Sequence, residues 1–372
     1  MSETLSLAQL QVQTHAVLGM TALVALLLGA VLQRSNFCTM GAVSDWVLMD
    51  DSTRARQWAV AVAVASLGFG VLAMAQGISP LDTIYHTPRW NWFSQGVGGM
   101  LFGVGMVLAS GCPSRALVRL AGGNLKSLVV LLVMAVAALA SLKGLPAVWR
   151  VQGLESVAIA WGAGPFAAQW WAHWTGWSLP LSQMSCAAVA GFSLLAWVMS
   201  GRTDRRLPTL STGAGVGLAT VALWWISGVM GWVAEHPETL EPVFLATSSG
   251  RMESLSFTAP LAYWLDGLLY FSDGSKRLSL GMVLVPGVFV GALASALWRR
   301  EWRREGFTQT DDLTRHLVGA VLMGFGGVAA MGCSIGQGVS GLSTLNAGSL
   351  LSLLAMLLGS WSALRWQLRA HD

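Results

Sequence analysis

Apolar positions come in long blocks along the whole chain, broken by short polar stretches. The runs Val17–Gln33, Ala59–Gln76, Ser127–Leu142 and Ser349–Leu364 approach or exceed the roughly 18 apolar residues of a membrane span. The pattern predicts nine spanning helices, at 15–33, 57–77, 95–111, 126–143, 182–199, 209–232, 279–298, 315–332 and 349–368. Between them lie 36–49, 112–124, 255–271 and 333–347, apolar as well but shorter than a span and rich in Gly, Ser and Thr. These read as four re-entrant segments. Irregular backbone at membrane depth survives only where protein or a wet cavity satisfies its polar groups, so four such segments predict an interior pathway. Residues 154–172 contain Gly162-Ala163-Gly164-Pro165 and are ringed by Trp161, Trp170, Trp171, Trp174 and Trp177. Tryptophan favours the headgroup level, and this stretch reads as interfacial. The expected fold is an all-α polytopic membrane protein.

Composition sharpens this picture. The chain is 54% hydrophobic and 11% charged, against roughly 25% charged in a soluble domain. The net charge of +4 and pI near 9.1 come from arginines clustered between apolar runs, which is a topology signal and not a nucleic-acid patch. The clusters are Arg54 with Arg56, Arg115 with Arg119 and Lys126, Arg202 with Arg205 and Arg206, and Arg299, Arg300, Arg303 and Arg304. All become cytoplasmic, together with Arg365 and Arg369, if the N-terminus is outside and the C-terminus inside. The expected location is the bacterial inner membrane. No Lys or Arg occurs between Met1 and Thr14, so the first run reads as a retained span and not as a signal peptide.

The chain repeats itself. Residues 97–112 read VGGMLFGVGMVLASGC and residues 318–333 read VGAVLMGFGGVAAMGC, identical at 9 of 16 positions without a gap. One constant offset, the one that carries Val97 onto Val318, aligns the whole stretch. Arg34-Ser35-Asn36-Phe37-Cys38-Thr39 resembles the stretch from Arg251 to Phe257-Thr258, which has two extra residues and no cysteine. In the predicted topology the span 95–111 runs inward and its partner 315–332 runs outward. The repeat is therefore inverted, a form common in transporters with a site at the repeat interface. The expected division is 1–145 for the first repeat, 146–207 for a connecting segment with one span, and 208–372 for the second.

Candidate chemistry sits at the breaks. The four cysteines, Cys38, Cys112, Cys186 and Cys333, form no CxxC pair and have no His at zinc-ligand spacing. No metal and no cofactor is expected. No GxxxxGK[ST] occurs, so the chain encodes no P-loop for ATP. Gly111 and Gly332 stand where a span stops, just before Cys112 and Cys333. Pro113-Ser114 and Ser334 follow, as favoured first-turn and N-cap residues. A short helix starting there aims free N–H groups and a positive dipole end into the interior, an anion site without formal charge. A neutral thiol adds a soft donor suited to a sulfur-terminated anion. Cys186 lies in a plain span among Ala and Val, where cysteine acts as a small hydrophobe. Arg34, Arg251 and Arg115 flank the breaks, either as functional charges at depth or as residues snorkelling to the interface. Ser340, Ser343 and Thr344 are weaker candidates for a path, and Asp45 and Asp266 are acids inside the re-entrant segments.

GRMESLSFTAP at 250–260, Gln33-Arg34…Phe37-Cys38, SGC at 110–112 and MGCSIGQGVSG at 331–341 resemble the YeeE/YedE sulfur-transport family over nearly the whole chain. The resemblance implies an hourglass-shaped inverted-repeat membrane protein, not an enzyme, that imports thiosulfate. It implies three cysteines that hand the ion inward through S–H···S hydrogen bonds, falling here on Cys333, Cys112 and Cys38 in that order. A small cytoplasmic sulfur carrier of the TusA type is implied as a partner by analogy. Pro113-Ser114-Arg115 after Cys112 and Thr39-Met40-Gly41-Ala42 after Cys38 depart from the importers' pattern. The alternatives are transport of another sulfur or selenium species, a membrane sulfurtransferase working through cysteine persulfides, and a structural protein with an inert core.

Overall fold

The computed structural model describes residues 7–201, 206–273, 277–307 and 309–369. Arg202 and Arg205, and the side chain of Arg206, lie outside the described residues. In chain order the helices are α1 (Leu7–Ser35), α2 (Thr39–Met49), α3 (Thr53–Gln76), α4 (Trp92–Leu108), α5 (Pro113–Ala121), α6 (Leu125–Lys143), α7 (Leu145–Trp149), α8 (Ala167–Thr175), α9 (Leu179–Ser200), α10 (Arg206–Trp225), α11 (Thr258–Leu269), α12 (Leu280–Trp298), α13 (Thr310–Ala329) and α14 (Ala347–Arg369). Each expected span falls on one of the long helices. Among the described residues, eight helices are long and apolar enough to cross a membrane. The ninth, α13, is as long, but Asp311, Asp312, Arg315 and His316 near its start lower its hydropathy. Those charges are not idle: Lys126 Nζ meets Asp312 Oδ2 at 2.6 Å, and His316 Nδ1 lies 2.7 Å from the Asp312 carbonyl.

The expected re-entrant segments are short helices. Three are α2, α5 and α11; the fourth runs from Ser334 to Ser343, with a π-helical middle at Gly336–Gly341. The stretch expected to be interfacial is no single helix. It begins where a π-turn at Arg150–Leu154 ends and holds strand β2 (Ile159–Ala160) and the first two-thirds of α8. β2 pairs with β1 (Arg89–Trp90), where Trp90 and Trp161 stack at 4.7 Å. A second two-residue pair, β3 (Trp232–Val233) with β4 (Val243–Phe244), lies before α11.

Packing follows the repeat. α1 packs on α12 as α10 packs on α3, and α4 packs on α14 as α13 packs on α6. α4 and α13 also cross each other, antiparallel. A Cβ on Gly326 would meet the Gly98 carbonyl at 2.6 Å, and one on Gly319 would meet the Gly105 carbonyl at 2.8 Å. The repeat offset carries Gly98 onto Gly319 and Gly105 onto Gly326, so the two contacts exchange. Lipid tails are as apolar as Leu, so helices in a bilayer associate through close packing of small residues and not through a hydrophobic drive. The glycines supply that closeness. Phe102, Met106, Met134, Met323 and Met356, all fully buried, fill the space around the crossing.

Matching caps fix the short segments. Asn124 accepts from Ser127 N and starts α6; Asn346 accepts from Ser349 N at 2.9 Å and starts α14. Each asparagine also reaches the opposite half. Asn124 Nδ2 donates to Glu305, and Asn346 Nδ2 donates to the Tyr85 carbonyl at 3.1 Å.

Candidate functional site

Two breaks of matching geometry place two of the cysteines. α4 ends with Ser110 in the left-handed region at φ 56°, and α13 ends with Met331 at φ 60°. Gly111 N–H then bonds the Met106 carbonyl at 2.8 Å, and Gly332 N–H bonds the Gly327 carbonyl at 2.8 Å. These six-to-one bonds are Schellman closures. They satisfy helix-end carbonyls that lipid leaves without water. Gly111 and Gly332, at φ 158° and 157°, turn the chain into the next short helix. The left-handed cap thus falls one residue before the glycine, on a serine and a methionine.

The cap of each new helix is the cysteine itself. Cys112 is the N-cap of α5, Cys38 the N-cap of α2, and Cys333 stands just before Ser334. Gly41 N–H donates to Cys38 Sγ at 3.4 Å, and Gly336 N–H donates to Cys333 Sγ at 3.3 Å. Cys112 Sγ lies 3.2 Å from Ser114 Oγ. Neighbouring helix starts join in. The N–H groups of Thr39 and Arg115 lie near Cys112, and those of Phe257 and Ile335 lie near Cys333. Cys38 and Cys112 are close neighbours and influence each other electrostatically. All three thiols are buried. The N-cap of α11 is Phe257, so the fourth helix start carries a phenyl ring where the others carry a thiol.

The two halves meet at this centre. Thr39 Oγ1 donates to Ser334 Oγ at 2.9 Å, joining the first turns of α2 and of the 334–343 segment. Tyr85 donates its hydroxyl to the Gly336 carbonyl at 2.5 Å. Phe37 stacks on Trp58 at 5.3 Å. Ser340, Ser343 and Thr344 are engaged inside the scaffold: Ser340 Oγ bonds the Leu255 carbonyl, Thr344 Oγ1 bonds the Gly341 carbonyl, and Ser343 Oγ accepts from Trp224 Nε1.

Cavities lie on both sides of the thiols. On the side of the basic clusters, one of about 600 Å³ is lined by Arg34, Asp45, Asp51, Arg54, Gln57 and Thr212. A second, of about 350 Å³, holds Asn36, Arg115, Arg119, Arg303 and Glu305. They flank the turn that carries Cys38. On the opposite side a cavity of about 210 Å³ includes Gly332, Met331 and Ser256 and leads to Cys333. Arg34 therefore faces a cavity, whereas Arg251 lies exposed and donates to the His86 carbonyl at 3.0 Å. Asp45 is ion-paired with Arg54 at 3.3 Å and Asp266 with Lys143 at 2.7 Å. Cys186 is half-buried on α9, away from the other three cysteines. Among the described residues no cluster of His, Cys, Asp and Glu has the form of a metal site.

Sequence reasoning takes Ser114 only as a helix-start residue and Thr39 only as part of a departure from the importers' pattern, and it passes over Tyr85. Thr39 and Ser114 follow their cysteines by one and two residues, a signal available in the chain. Tyr85 comes from a distant loop and carries no such signal.

The fold and this centre define a class: polytopic helical membrane proteins with buried thiols under converging helix starts and a cavity on either side. The chain belongs to the sulphur transport family, which it matches over residues 34–362. It is similar to the thiosulfate transporter TsuA of Escherichia coli (strain K12), 28% identical over 356 residues that cover 91% of each chain. It is also similar to the thiosulfate transporter TsuA of Spirochaeta thermophila, 26% identical over 350 residues, 91% of this chain and 96% of that one. A shorter match, 25% over 96 residues, covers 26% of this chain and 24% of the probable transporter YedE of E. coli.

Proposed function

We propose that this protein imports thiosulfate across the bacterial inner membrane, handing the intact ion from Cys333 to Cys112 to Cys38 through S–H···S hydrogen bonds. The observation that carries the reading is the set of three buried thiols, each at a helix start and each beside backbone N–H donors. Such a site binds an anion mainly by partial positive charge, with the half-buried Arg115 adding a formal charge near Cys38 and Cys112. Conduction needs sites that are weak and multiple, so that the ion leaves each one. Thiols under N–H groups meet that need. The terminal sulfur of thiosulfate is a soft acceptor for S–H, whereas sulfate offers only hard oxygens.

Direction follows from charge. The basic clusters lie at the end of the bundle that holds Arg34 and the larger cavities, which supports a cytoplasmic position for that end. The N-terminus is then outside and the C-terminus inside. Gly332, next to Cys333, lines the outer cavity, and Asn36, two residues before Cys38, lines the inner ones. Arg34 and Arg115 hold the ion at the inner exit, where a TusA-type carrier collects it. The repeats divide at 1–145, 146–207 and 208–372.

The test is uptake by the purified protein in liposomes. Radiolabelled thiosulfate accumulates faster than in empty vesicles, and a tenfold excess of unlabelled sulfate, about 1.4 kcal/mol in effective competition, leaves the rate unchanged. Uptake equal to that of empty vesicles rejects the reading.

A further inference from the structure

The outer cavity holds a carboxyl group that the thiol path does not use. Its lining includes Tyr85, Arg150, Glu253, Ser256, Tyr263 and Gly332. Its lining residue Ser256 lies close to the first thiol, because a Cβ on Gly336 would lie 3.0 Å from Ser256 Oγ and 3.6 Å from Cys333 Sγ. An ion moving from outside to Cys333 through this cavity passes Glu253.

The charges facing Glu253 are few. Arg150, from the π-turn, is ion-paired with Glu155 and donates through Nε to the Ser141 carbonyl at 3.2 Å. Its charge is balanced locally. Tyr85, from the loop before α4, and Tyr263, from α11, are phenols, ordinarily neutral below about pH 10. Arg251, two residues earlier in the chain, turns away to His86. Cys333 at the floor is a thiol. Among the described residues no basic side chain forms an ion pair with Glu253. Its partners are the backbone N–H groups of Ser248 at 2.9 Å and Ser249 at 2.7 Å, both on Oε1, with the Ser249 hydroxyl also near it. Burial pushes the carboxyl above its ordinary range, outweighing those donors.

Ionised, Glu253 therefore leaves one uncompensated negative charge beside the route of a dianion. Protonated, it leaves the cavity neutral and adds an O–H donor. We propose that Glu253 sets the charge of the entry, so that the dianion enters while this carboxyl is protonated and is held out while it is ionised. The inference rests on the uptake reading above and assigns a charge-selecting residue to it.

Initial rates of thiosulfate uptake into liposomes, measured from about pH 5 to about pH 8 outside at fixed internal pH, test it. The rate of the native protein falls as pH rises, approaching tenfold per pH unit, the limit for one proton. Glu253→Gln keeps an acceptor for Ser248 and Ser249 but cannot ionise. Its profile is flat and lies above the native one at the alkaline end. Glu253→Asp, which keeps a carboxyl, retains a slope. A native profile that is flat, a Gln profile as steep as the native one, or a flat Asp profile overturns the proposal. So does a slope that survives in Glu253→Gln and disappears in His86→Gln, which assigns the titration to His86. Absence of native uptake at every pH removes the transport reading itself, and is thereby distinct from uptake without a pH slope.

Discussion

Cys112→Ala lowers thiosulfate uptake in vesicles by more than tenfold while the protein still assembles. Tenfold corresponds to about 1.4 kcal/mol of lost stabilisation along the path. Cys112 is a close neighbour of Cys38, lies near the Thr39 and Arg115 N–H groups, and stands 3.2 Å from Ser114 Oγ. Alanine keeps the helix start and its N–H groups but removes the sulfur that receives the ion from Cys333 in the proposed relay. Stability changes by about 1 kcal/mol, as for a typical point change. Cys112→Ser separates softness from shape, since a hydroxyl still donates but is a poor partner for sulfur; its uptake stays low. Cys186→Ala serves as the control and transports at the native rate, because that thiol is half-buried on α9 outside the path. Equal uptake by Cys112→Ala and the native chain would falsify the thiol path.

Gly103→Val and Gly324→Val each prevent accumulation of folded protein. A Cβ on Gly103 would meet the Met356 carbonyl closer than any contact allows, and one on Gly324 would meet the Met134 carbonyl at 2.6 Å. Both neighbours are helix backbone, which no rotamer change relieves. Overpacking in a well-packed core typically costs about 1–3 kcal/mol, and here α4 separates from α14, or α13 from α6. Fluorescence-detected size-exclusion in detergent reads the outcome as loss of the monodisperse peak. Gly96→Ala is the matched harmless change, since nothing lies within 4 Å of its would-be Cβ. A native-like peak and melting temperature for both valine variants contradicts the packing account. The two losses are of similar size, because the repeat offset carries Gly103 onto Gly324 and Met134 to the position beside Met356.

Much of this is written in the chain. Among the described residues the nine long helices and the four short segments between them, like the repeat and the two Gly-Cys breaks in the sequence, follow from hydropathy and self-similarity. The detail at the breaks does not. Serine reads as the cap of each short helix, yet the cysteine is the cap, because the Schellman closure at Ser110 and Met331 ends the preceding helix earlier. The asparagine caps Asn124 and Asn346 stand at nearly the repeat offset, but a single residue among polar turn positions carries no visible periodicity. The pairing of Cys38 with Phe257 is blurred by the two extra residues after Arg251. Glu253 reads in sequence as one acid in an outer loop. Only the folding of 80–86, 141–155 and 248–263 around one cavity gives it a half-buried setting. The cavities lie beyond sequence reading for the same reason: each joins segments far apart in the chain.

The same thiols invite a second chemistry, in which persulfides form on cysteine and sulfur atoms cross one at a time. The two accounts differ in what arrives inside. Thiosulfate labelled distinguishably on its inner and outer sulfur, offered to liposomes holding the purified protein, tests this most directly. Passage of the intact ion delivers both labels to the lumen in equal amounts and at the same rate. Delivery of the outer sulfur alone, with the inner one left outside as sulfite, contradicts the account.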